Sequence, residues 1–119
     1  MTLTPTQALQ NYLAAWNAPD AEAASQNLLA CCVSDVVLID PNARLPVQGW
    51  GSIAGHIASA REALGPLQME ATSGIDAHHG VCRLSWQLAD GPDVRQRGLL
   101  IAEAAPDGRL RRVIHFVDA

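Results

Sequence analysis

The 119-residue chain carries 12 acidic and 8 basic side chains, a formal net charge of −4, and 49% hydrophobic residues. That length fits one domain, 1–119, with a real core. The negative balance argues against a nucleic-acid partner, and the arginines, which gather late in the chain, read as solvated edges. No apolar run approaches a membrane span, and the N-terminus lacks the basic start and apolar stretch of a signal peptide. With no disulfide framework suggested by Cys31, Cys32 and Cys82, a cytoplasmic protein with buried reduced thiols is expected.

In chain order, Thr4-Pro5-Thr6-Gln7 has the spacing of a capping box, and Leu9, Tyr12, Leu13 and Trp16 recur at helical spacing, which predicts a helix over 5–17. Asp20 caps a second helix that runs to about Cys32. Val33 to Ile39 is a β-branched run and reads as the first strand; 41–51, with two prolines and two glycines, reads as loop. Ser52 is the expected cap of a third helix carrying Ile53, Ile57, Ala60 and Leu64 on one face, stopped at Gly65-Pro66. Strands are then expected over 67–77, 81–88, 94–105 and 109–117, with turns at His78-His79-Gly80, Asp90-Gly91-Pro92-Asp93 and Pro106-Asp107-Gly108.

Helices that segregate from a run of hairpins define an α+β domain. Three helices packed in a strongly curved, mostly antiparallel sheet give a cone-shaped half-barrel, and its open end is where an internal pocket for a small molecule is expected.

The stretches "YLAAWNAPD" (12–20), "VVLIDP" (36–41), "GWGSIAGHI" (49–57), "HHGVCRLSWQL" (78–88) and "DGRLRRVIHF" (107–116) resemble, in the same order, the nuclear transport factor 2-like superfamily, nearest its SnoaL-like and ketosteroid isomerase-like branches. The resemblance implies a cofactor-free enzyme that abstracts a proton from a small apolar carbonyl compound, as an isomerase, cyclase or dehydratase. A non-catalytic binding or dimerisation protein of the same fold is the alternative, because fold does not fix function. Tyr12 stands where the isomerase branch has its helix-one tyrosine, and Asp40 where it has its base aspartate before a proline. Ile101 falls where the branch has a second, protonated acid, so that half of the family's oxyanion hole is missing. Glu103 lies two residues on, on the same face. The resemblance also implies a homodimer through the outer sheet face.

Residue by residue, Asp40 is either a strand-ending turn residue or a carboxylate held at the rim of a pocket, where Val36 and Leu38 share its face and apolar surroundings would make it a better base. Tyr12 is either a core phenol or a donor able to stabilise an enolate oxygen. His115 shares a face with Val113 and Val117; the family register turns that face inward, although Ile114 and Phe116 on the other face look more apolar. There His115 could shuttle a proton. Trp86 shares a strand face with Cys82, Leu84 and Leu88, alternating with Val81, Arg83, Ser85 and Gln87, and fits a pocket wall or the core; Trp50 is a lid or a hydrophobic staple. The candidate site is therefore Asp40, Tyr12 and His115, with Trp86, Leu84, Cys82, Ile101, Val113, Leu38 and Trp50 around the ligand. His56, on the polar side of the third helix, is expected to be exposed. No histidine or cysteine spacing suggests a metal, and no phosphate-binding or dinucleotide motif suggests a cofactor.

Overall fold

A computed structural model describes residues 2–118, and its elements run α1 (Pro5–Trp16), α2 (Ala21–Cys31), β1 (Cys32–Ile39), β2 (Val47–Gln48), α3 (Trp50–Leu64), β3 (Gln68–Ala71), β4 (Asp76–His78), β5 (Val81–Asp90), β6 (Asp93–Ala104) and β7 (Leu110–Val117). Local chemistry sets the helix starts. The Thr4 hydroxyl accepts from the Gln7 N–H at 3.1 Å while the Gln7 side chain accepts from the Thr4 N–H at 2.9 Å, closing the capping box. The Asp20 carboxylate accepts from the Ala23 N–H at 2.8 Å and caps α2.

Three expectations about boundaries need correction. The third helix is capped not at Ser52 but at Gly49, whose φ of +89° lets the chain turn directly from β2 into α3. The 41–51 loop contains the two-residue strand β2, paired to β1 through Val37–Gln48 and Leu38–Val47. The single strand expected over 67–77 is two short ones, β3 and β4, because both pair with β5 at different places along it.

The strands form one seven-stranded sheet in the order β2-β1-β7-β6-β5-β3, with β4 also on β5. Neighbours are antiparallel except β1 and β7, which run parallel and join the first long strand to the last. The sheet is strongly curved and does not close into a barrel. Its concave face supplies Leu38, Leu84, Trp86, Leu100 and Val113 to the core, and the helices answer with Leu9, Tyr12, Leu28, Ile53 and Ile57, all buried. In β7 Val113 and His115 are buried while Phe116 is exposed, so the face that looked less apolar in the sequence points inward.

Candidate active site

β1 ends at Ile39, and the next residue turns the chain. The Asp40 carbonyl accepts from the Ala43 N–H at 2.9 Å, and its Oδ1 accepts from the Asn42 N–H at 3.1 Å, an Asx-type turn. Its Oδ2 lies 2.8 Å from Nε2 of His56, and the Asp40 side chain is only 5% exposed. His56 is thus not the exposed residue expected from the polar side of α3. The helix has two inward stripes, Ile53–Ile57 into the core and His56–Ala60 toward the end of β1, and that second stripe of small residues around a histidine was the signal available in the sequence.

On the other side, Tyr12 and Trp16 stand one helical turn apart on α1, spaced so that their side chains meet. The Trp16 indole N–H donates to the Tyr12 hydroxyl oxygen at 2.9 Å, and that hydroxyl lies 2.7 Å from Nε2 of His115. Three aromatic rings enclose the imidazole, with centroids at 5.5 Å (Trp16), 5.7 Å (Tyr12) and 5.9 Å (Trp86). Burial pushes the His115 pKa down to about 4; the Asp40 charge works against this and His56 works with it. Burial likewise holds the Tyr12 phenol well above its ordinary value, opposed by the hydrogen bond from Trp16.

Asp40, Trp16, Trp86 and His115 border one cavity of about 360 Å³ at the open end of the cone. Asp40, Asn42, Gln96 and His115 are its polar wall, Trp16 and Trp86 flank the histidine, and Ala60, Leu64, Met69, Leu88 and Val117 make it largely apolar. The volume lies near the lower end for small-molecule sites. Trp86 lies across the backbone of its cross-strand partner Gly98, where a Cβ would sit 2.3 Å from the indole Cζ2.

Of the residues expected around a ligand, Asp40, His115 and Trp86 come together at this wall. Tyr12 stands one step behind it, with its hydroxyl committed to His115 and Trp16. Leu38, Leu84 and Val113 are fully buried in the core and do not border the cavity. Cys82 borders a separate hollow with Leu3 and Leu110. Trp50 opens α3 and donates its indole N–H to the Cys32 carbonyl at 3.1 Å, away from the mouth. Ile101 is on the wrong face: it pairs with Arg83 and Ile114 on the outer side, and Leu100 is the residue that faces inward opposite His115. Glu103, on that same outer face, forms an ion pair with Arg112. Trp16, Gln96 and Asn42 complete the wall without having been singled out: Trp16 ends α1, Asn42 lies in the turn after β1, and Gln96 lies within β6. Among the described residues, no group of three or more His, Cys, Asp or Glu side chains could hold a metal ion, and no helix is long and apolar enough to cross a membrane.

No protein-family model matches the sequence, nor does any curated protein. Solved structures do match. A SnoaL-like family protein from Agrobacterium tumefaciens, put forward as an isomerase, superposes with a TM-score of 0.85 at 26% identity over 96% of this chain and 97% of that one. A SnoaL-like protein of unknown function from Burkholderia thailandensis matches with a TM-score of 0.71 at 17% identity, covering 98% and 99% of the two chains. A nuclear transport factor 2-like protein of unknown function from Exiguobacterium matches with a TM-score of 0.69 at 17% identity, covering 93% and 98%. The chain therefore has the fold shared by SnoaL-like and nuclear transport factor 2-like proteins.

Proposed function

We propose that the protein is a cofactor-independent enzyme that removes a proton from carbon next to a carbonyl in a small, largely apolar compound. The observation that carries this reading is the Asp40 carboxylate, held by His56 and the Asn42 N–H on the wall of an apolar cavity. Asp40 takes the proton as the C–H bond breaks. The C–H electron pair forms a carbon–carbon double bond, and the carbonyl π pair moves onto oxygen as an enolate. Return of the proton to another carbon gives isomerisation, loss of a β-leaving group gives dehydration, and attack on a second carbonyl gives cyclisation. All three need only a base and a donor for the oxygen, so no metal or redox group enters the scheme.

The test is hydrogen–deuterium exchange at the α-carbon of a panel of cyclic ketones and β-diketones, followed by proton NMR in D2O. The wild-type protein accelerates exchange of at least one member, and Asp40→Asn abolishes the acceleration. Wild-type protein that binds a panel member without exchanging it refutes catalysis and leaves a binding protein. That second reading is favoured by Leu100, which supplies no second acid opposite His115.

The same proposal includes a homodimer through the outer face of β6 and β7. There the cross-strand pairs Leu99–Phe116 and Ile101–Ile114 form an apolar patch in which Phe116 is 51% exposed. A nucleic acid is not among the proposed partners, given the net charge of −4.

A further inference from the structure

Three aligned side chains fix where one proton sits. The Trp16 indole nitrogen can only donate, so the Tyr12 oxygen accepts it. The phenol keeps its own hydrogen, and the partner in reach is Nε2 of His115 at 2.7 Å. A phenol that donates to Nε2 requires that nitrogen to be a lone-pair acceptor. The ring of a neutral imidazole then carries its proton on Nδ1. His115 is a wall residue of the cavity and Tyr12 is not, so the edge bound to Tyr12 is the rear one. The Tyr12 contact at Nε2 is the one side-chain hydrogen bond of His115 among the described residues, which leaves Nδ1 without a protein partner.

We infer that the Trp16–Tyr12 pair is a positioning relay that locks His115 as an uncharged Nδ1–H donor, and that this donor receives the carbonyl oxygen of the ligand and the enolate formed from it. This rests on the proposed reaction and assigns the group that stands in for the missing second acid. It divides the labour of the wall: Asp40 accepts the proton, and His115 holds the oxygen without competing as a base. A neutral imidazole serves well in this role, because it donates to the developing charge without giving up a proton. The charged or titratable groups that face it are Asp40, His56 and Tyr12. The ligand class follows as uncharged carbonyl compounds whose oxygen lies across the cavity from the carboxylate.

The test reads the tautomer directly. Nitrogen-15 NMR of the whole protein, labelled at histidine, is expected to show His115 at neutral pH with a protonated Nδ1 and a bare Nε2. Tyr12→Phe is expected to release the lock and give a mixture of tautomers while the His56 signals stay put. A proton on Nε2, a tautomer mixture in the wild type, or a charged ring at neutral pH overturns the inference, and none of these depends on turnover. A second arm uses Asp40→Asn, which mimics the protonated acid of the intermediate, with 4-nitrophenolate as the oxyanion probe. Binding should move the Nδ1–H resonance downfield, and adding Tyr12→Phe should weaken binding about tenfold, the range for a hydrogen bond to a charged group. Probe binding that leaves the Nδ1–H signal unmoved also overturns it. A locked tautomer that binds the probe, in a protein that exchanges no α-proton, leaves the donor standing and removes the proposed reaction instead.

Discussion

Gly98→Ala should damage both the fold and the cavity wall. A Cβ built on Gly98 meets the Phe116 carbonyl oxygen at 2.2 Å and the Trp86 indole at 2.3 Å (Cζ2) and 2.6 Å (Cε2). Ordinary contact begins near 3.4 Å, so more than an ångström of movement is needed. The oxygen belongs to the backbone of β7, and the indole is 2% exposed and packed against His115, so neither yields freely. Overpacking of this kind costs about 1–3 kcal/mol, and the lower chain entropy of unfolded alanine returns about 0.4–1 kcal/mol. A net loss of about 1 kcal/mol corresponds to a fall of roughly 3–6 °C in Tm for a domain of this size. Urea unfolding with an unchanged slope would measure it. Trp86→Leu combined with Gly98→Ala should cost less than the two singles added, by about 0.5 kcal/mol or more, because one of the two clashes has gone. A Gly98→Ala protein within about 0.5 kcal/mol of wild type would refute the packing argument.

Asp40→Asn should leave stability within about 1 kcal/mol of wild type, because the amide still accepts from Asn42 and can donate to a His56 that has moved its proton to the other ring nitrogen; any catalysed exchange should fall by about 100-fold or more, and thermal melts beside the NMR assay check both. Acid should destabilise the fold through His115. Its native pKa of about 4 lies below the ordinary 6.5, so the unfolded chain binds the proton first as pH falls between those values. The loss is about 3 kcal/mol in total, and in His115→Gln urea midpoints should decline less between neutral pH and pH about 4. Phe116→Glu should convert a dimer to monomers in sedimentation equilibrium, with the fold intact by circular dichroism, since the side chain is 51% exposed within one chain.

The architecture was legible where one residue type does one job. The capping box at Thr4–Gln7, the acid at Asp20 and the turn at Pro106-Asp107-Gly108 act within a few residues, and alternation in β5 told inside from outside correctly. Of the residues expected at a site, Asp40, His115 and Trp86 reach the wall of the cavity. His56 escaped because burial on a helix depends on what the helix leans against, and the end of β1 is remote in sequence. Ile101 was misplaced because a strand register one residue out reverses every side chain, and the shift in β6–β7 pairing between Glu103 and Ala104 lies close by. Tyr12 was found as a residue but not in its position behind His115, since a hydrogen-bond chain across 103 positions leaves no trace in local pattern.

The parallel pairing of β1 with β7 has a kinetic meaning. Leu38 and Ile39 lie beside Val113 and Ile114, so the strand that delivers Asp40 is positioned by the strand that carries His115. Contacts between the first and last strands close a long loop, and such pairings form slowly. A nascent chain therefore has no complete site until β7 docks. Conversely, a ligand that spans the carboxylate and the imidazole clamps the two ends of the fold together, so its binding energy should slow global opening and appear as hydrogen-exchange protection across the whole sheet.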